Sequence, residues 1–200
     1  MQPMTSEVTL GLIADTHMPG SIPALWPEAI AFFEGCDAIL HAGDLHTLEI
    51  VDTLSNLAPT YVALGNGDAG LDDPRLRETW TLDFTGLQVG MLHHCPSPLR
   101  KPESVVRKHL AERFTPLPNV VLFGHTHLES ITKLGDLILV NPGSPTLPRN
   151  QSLQRGTLGK LTITPLGYTV ALFQITESHV IAHPNIPPLF QPSTSLEISV

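Results

Sequence analysis

The chain has 200 residues, enough for one domain with a core that needs no disulfide staples. Its formal charge of −8 disfavours broad contact with extended nucleic acid, and no apolar run approaches the roughly 18 residues of a membrane span. Cys36 and Cys95 form no CxxC pair and no basic segment precedes the N-terminal apolar run, so the expectation is a cytoplasmic protein without a secretory signal.

Val8 to Ala14 is apolar apart from Thr9 and one glycine and reads as a strand buried on both faces. Ser21 is placed to cap a helix in which Ile22, Trp26, Ile30 and Phe33 share one face, ending at Gly35. Ala38 to His41 reads as a second strand. Thr47 is placed to cap a helix whose inner face carries Ile50, Leu54 and Leu57, with Pro59 as its stop. Tyr61 to Leu64 reads as a third strand. This alternation predicts crossover units and a largely parallel sheet.

Beyond it, Trp80–Phe84 and Leu87–Leu92 read as a hairpin through Thr85-Gly86. A helix is predicted from Glu103 to Phe114, with Arg107, Lys108 and Arg113 on its solvated side, followed by a strand at Val120–Phe123. Two more hairpins turn at Gly135-Asp136 and at Pro165-Leu166-Gly167. The pattern as a whole predicts two sheets packed face to face with helices outside. From Pro184 the chain turns Pro-rich and polar, and residues 184–200 are expected to be a tail or a strap over the surface.

Five polar motifs punctuate these runs where strands end: Asp15-Thr16-His17, Gly43-Asp44, Gly65-Asn66-Gly67-Asp68, His93 and Gly124-His125-Thr126-His127. The two His of the last motif, at i and i+2 after glycine, make it the strongest of the five taken singly. Asp15 and His17 stand at i and i+2, a spacing that in extended backbone sends both side chains one way. Asp44 has two oxygens with which to bridge two ions. Asn66 adds a neutral oxygen, and Asp68 is expected to orient its neighbours. The mixture of hard oxygen and imidazole nitrogen suits a pair of divalent transition metals, which activate water against phosphate esters.

Other readings of single residues are plainer. Gly65-x-Gly67-x-x-Gly70 matches the dinucleotide fingerprint in form only, because Asp68 repels pyrophosphate and Pro74 follows. His41 reads as a hydrogen-bonded core or supporting group, and His46 as a supporting or substrate contact. His109, His179 and His183 are expected at the surface. Cys36 reads as a small core residue, and Cys95, beside His93 and His94, has a near-site reading as well.

The ordered set from Val8 to Ser144 resembles the calcineurin-like metallophosphoesterases. Val140-Asn141-Pro142-Gly143-Ser144 and Pro148-Arg149 are similar to the small bacterial and archaeal phosphodiesterase branch, which shares its fold with the eukaryotic retromer scaffold subunit. The resemblance implies an α/β fold, a four-layer αββα sandwich of two mixed β-sheets flanked by helices, over residues 1–183. It also allocates ligands: Asp15, His17, Asp44 and His127 to one metal, and Asp44, Asn66, His93 and His125 to the other. Alignment of the preceding Val-Gly-Met-Leu favours His93, and a shift of one residue selects His94. Many members carry a histidine after the metal-binding Asn that helps the leaving group. Gly67 stands there, so a histidine placed at 67 is expected to improve turnover of poor leaving groups.

The implied activity is phosphodiester hydrolysis by a hydroxide shared between two cations, Mn²⁺ preferred, with Fe, Zn, Ni or Co as alternatives. Asp44, Asn66 and Asp68 are the expected catalytic group. The expected partner is a small phosphoester, a nucleotide among the candidates, with no membrane or extended nucleic acid and with homo-oligomerisation open. The rival reading is a non-catalytic scaffold that keeps the fold.

Overall fold

The computed structural model describes residues 7–193. The first half lays down β1 (Val8–Ile13), α1 (Pro27–Phe33), β2 (Ala38–His41), α2 (Glu49–Ser55), β3 (Thr60–Ala63) and β4 (Leu76–Arg77). These four strands pair in parallel and in chain order. The chain then builds a second sheet from β5 (Thr79–Phe84), β6 (Leu87–Leu92), β7 (Val120–Leu122), β8 (Ser130–Leu134) and β9 (Leu137–Asn141). Its order is β5-β6-β7-β9-β8, with α3 (Glu103–Ala111) between β6 and β7 in sequence. Finally β10 (Thr157–Thr164) and β11 (Gly167–Ile175) return to the first sheet, antiparallel, on the free side of β1.

Period-two alternation sorts the side chains into layers. Leu10, Leu12 and Ala14 from the first strand, with Ala38 and Leu40 from the second, meet Val89, Met91, Leu122 and Val140 of the other sheet in a core between the two. The alternate residues Ile13, Ile39 and Val62 face outward and are covered by Ala29 and Phe33 of α1 and Ile50, Val51 and Leu54 of α2. On the far side, Val121 and Leu139 pack under Val106 and Leu110 of α3. The result is the expected αββα sandwich of two mixed sheets. No helix among the described residues is long and apolar enough to cross a membrane.

The helices are shorter than their apolar periodicity predicts. The first begins at Pro27, not after Ser21, because Pro23 and Pro27 push the residues before them into extended backbone, Trp26 included (φ −52°, ψ 133°). Ser21 caps nothing; its hydroxyl donates to the Thr16 carbonyl at 2.6 Å. Thr47 is no cap either, since α2 starts at Glu49 behind Leu48, without a side-chain cap. The helix predicted to reach Phe114 ends at Ala111, although Phe114 N still bonds Leu110 O and its ring is buried.

Three short strands were absent from the sequence reading, β4 among them. β12 (Val180–Ala182) and β13 (Leu189–Pro192) both pair antiparallel with β11, along different halves of its outer edge. Residues 189–192 therefore extend the first sheet, and residues 194–200 lie outside the described chain. His183, expected at the surface, has a side chain only 6% exposed beside Glu129.

Leu40 is fully buried between the sheets. Leu40→Ala is expected to cost about 2–5 kcal/mol, read as a lower urea midpoint at unchanged m-value.

Candidate metal centre

The five motifs converge at one end of the sandwich, where β1, β2, β3, β6 and β7 finish. Backbone bonds stitch the first loops together: Asp15 N–H donates to Gly43 O and His17 N–H to Asp44 O, both at 2.9 Å. Gly43 has φ +91°, and a Cβ there would lie 2.8 Å from His93 Nδ1, so only glycine fits. Asp15, His17, Asp44, His46, His125 and His127 all hold left-handed backbone, with φ between 48° and 76°. Such strain in non-glycine residues gathers at functional sites. It also corrects the pleat argument for Asp15 and His17, whose side chains converge through a tight turn and not along extended backbone.

Donor atoms of Asp15, His17, Asp44 and His127 all lie within 4.8 Å of one another, as do those of Asp44, His93 and His125. Asp44 belongs to both groups: Oδ2 is 3.4 Å from His17 Nε2 and Oδ1 is 3.5 Å from His93 Nε2. Asn66 Oδ1 joins the second group, 3.2 Å from His93 Nε2 and 3.1 Å from His125 Nδ1. His17 Nε2 and His127 Nε2 are 3.0 Å apart. The next residue after His93, His94, is exposed and belongs to neither group. Cys95 is also outside both, and burial pushes its thiol up to about 12.

These donors fit a cation better than they fit each other. His93 Nδ1–H donates to Ala42 O and His127 Nδ1–H to Leu147 O, each at 2.7 Å, which leaves a lone pair on each Nε2. The His93 lone pair thus faces oxygens of Asn66 and Asp44, acceptor against acceptor. Asp15 Oδ2 is buried with no hydrogen-bond partner among the described residues. Two ligands each roughly 2.1 Å from one ion stand about 3.0–3.4 Å apart, the spacing found here. Burial, helped by the charges of Asp44 and Asp68, raises the Asp15 carboxyl well above its ordinary range despite the His125 N–H bonded to it. Burial likewise lowers His17 to about 4 and depresses His93 and His127, so the imidazoles stay neutral and free to ligate.

Residues 8–164 match the calcineurin-like phosphoesterase superfamily domain, and the chain belongs to that family. A probable metallophosphoesterase of Methanothermobacter thermautotrophicus is 36% identical over 143 residues, 70% of this chain and 78% of that protein. A phosphodiesterase of Methanocaldococcus jannaschii is 26% identical over 153 residues, covering 67% of this chain and 82% of its own length. The fold is shared with Vacuolar Protein Sorting 29 from Cryptosporidium parvum, with a TM-score of 0.77 over 94% of this chain and 99% of that one, at 14% identity. The family implies divalent metal ions, and the donor groups above are where this chain can hold them.

Several side chains build the site without entering it. Both oxygens of Asp68 are occupied by backbone N–H groups, from Asp44 and Gly65 on Oδ2 and from Leu45 and His46 on Oδ1. Asp68 therefore positions the loop of Asp44 and does not itself reach the donor groups. Ser144 Oγ donates to Asp15 O at 2.7 Å, and Asn141 Nδ2 donates to Gly124 O at 3.0 Å. Neither was singled out as a site residue by chemistry at the sequence level; their one signal was the Asn-Pro-Gly-Ser turn. Gly67 is not an empty place, because a Cβ on it would lie 2.4 Å from His46 Nε2. A histidine at 67 can enter only by displacing the His46 ring, so any gain from that substitution has to offset the loss of His46 from its place.

His41 takes the supporting part expected of it. Its Nδ1 accepts Gly43 N–H, so Nε2–H donates to Thr16 Oγ1, both at 3.1 Å. Complete burial lowers it to about 4, with opposing pulls from the charges of Asp68 and Asp44. The folded state then binds fewer protons than the unfolded one between pH 4 and the ordinary value of 6.5. This contribution, of order 3 kcal/mol, is present above pH 6.5 and lost as pH falls toward 4. Thermal unfolding of metal-free protein should show a melting temperature that drops across this window, and His41→Asn, which keeps an acceptor near Nδ1, should lessen the drop by the share of His41 and leave that of His17, His93 and His127.

Proposed function

We propose that the chain is a two-metal phosphodiesterase. The observation that carries this reading is Asp44, one buried carboxylate whose two oxygens face two separate groups of nitrogen and oxygen donors. Asp15, His17, Asp44 and His127 would hold one cation, and Asp44, Asn66, His93 and His125 the other. Donors of this mixed kind suit Mn²⁺, with Fe, Zn, Ni or Co able to take the same places. When bound, the cations supply acidified water and charge neutralisation for the phosphoryl group.

The chain's own residues would do the positioning. Gly67 N–H holds Asp44 Oδ1 at 2.8 Å, fixing the shared carboxylate. His125 is the exposed member of the second group and borders the substrate side. His46, also exposed, presents its ring at the mouth next to His17, with centroids 4.6 Å apart. A groove of about 650 Å³ opens beside Asn66, His93 and His125. That volume leaves room for a substituent on each side of the phosphorus, which favours a diester over a monoester. The name carried by the Methanocaldococcus jannaschii relative agrees with a diester.

The test joins metal analysis to a panel of aryl phosphodiesters, phosphomonoesters and nucleotides. Protein loaded with Mn²⁺ is expected to carry two ions and to cleave the diesters best. Loss of a partner outside the ligand set costs about 10–100-fold, so Asp44→Ala should cost at least about 100-fold in turnover. Two bound ions with no cleavage of any ester would instead support the non-catalytic scaffold.

A further inference from the structure

The groove beside the donor groups, at about 650 Å³, is larger than one phosphoryl group requires. Besides Asn66, His93 and His125 it is lined by His94 and Arg113, with Glu78 also on the lining. His94 stands against the second donor group, its ring 4.9 Å from that of His125, and 5.8 Å from that of His109 on α3. Arg113 Nη1 donates to the His109 carbonyl at 2.8 Å, just past the end of α3. This bond anchors the guanidinium but leaves Nε and Nη2 without hydrogen bonds among the described residues. Its one carboxylate neighbour, Glu112, is 3.6 Å away and 59% exposed, a solvated pairing of little strength.

We propose that His94 and Arg113 form a subsite for a second phosphate, so that the preferred substrate is a phosphodiester carrying another phosphate group on the same molecule. The inference rests on the proposed capture of a phosphoryl group at Asp44. Arg113 supplies a permanent charge and free donors suited to phosphate oxygens. His94 supplies a ring N–H, which a neutral imidazole also has. At about 650 Å³ the groove has room for a sugar and a second phosphate beside the donor groups. Among its lining residues Glu78 is the one exposed acid, since Asp68 is buried under backbone N–H groups. On a chain of formal charge −8, an available guanidinium beside the proposed reaction centre is a local positive charge that attracts a phosphate.

Calorimetry on Mn²⁺-loaded protein decides the matter. Thymidine 3′,5′-bisphosphate is compared with thymidine 5′-monophosphate, which differ by one phosphate. One or two charge-assisted bonds should make the bisphosphate bind about tenfold more tightly or better. Arg113→Gln should abolish that ratio, and Arg113→Lys should keep part of it. Equal affinities in the wild type, or a ratio that survives Arg113→Gln, overturn the proposal. Hydrolysis is followed separately with thymidine 5′-(p-nitrophenyl phosphate) with and without a 3′-phosphate. If no ester is cleaved while the binding ratio behaves as stated, the catalytic reading falls and the subsite stands.

Discussion

Four backbone N–H groups converge on one buried carboxylate, that of Asp68, at 2.6–3.0 Å. Three come from the Asp44-Leu45-His46 turn after β2 and one from Gly65 after β3. A single anion thus clamps two strand ends together and holds Asp44 in left-handed backbone, where it faces both donor groups. Charge-assisted bonds of this kind are the strong ones, and a buried carboxylate without them would be costly. The centre depends on this clamp more than on any donor alone, because it sets where the shared carboxylate points.

The same end of the molecule gathers unfavourable features that a cation would relieve. Asp15 is wholly buried, with one oxygen unpartnered among the described residues. The imidazole lone pair on His93 faces oxygens of Asn66 and Asp44, and the rings of His93 and His127 are each locked by a backbone carbonyl. A fold stabilised by its sheets can carry such a site because the strain is local. The inter-sheet core ends at Ala14, Ala42 and Ala63, small residues that leave room for polar loops immediately beyond.

Most of the architecture was legible because β1, β2 and β3 are largely apolar runs that end near glycine or a charged residue, and because turn residues mark the hairpins. The hairpin through Thr85-Gly86 is one case, with φ of 57° and 92° in its turn. The donor residues were legible as a set because each follows a strand end. What could not be read was how they converge. Asp15 and His17 do so through left-handed backbone, a tertiary consequence of bonds to the Gly43-Asp44 loop, and His46 fills the space above Gly67 from another element. Helix starts were misjudged because apolar spacing outweighed Pro23 and Pro27 in the reading. β12 was missed because it is three residues long and mostly exposed, although it forms a hairpin with the end of β11, and β13 because its partners, residues 167–170, are distant in sequence.

The central claim is that Asp44 joins two cations in one cage. Anomalous diffraction from Mn²⁺-soaked crystals measures this directly. Two peaks about 3.5–4 Å apart, one on each side of the Asp44 carboxylate, are predicted. A single peak, or peaks away from Asp44, would contradict the account.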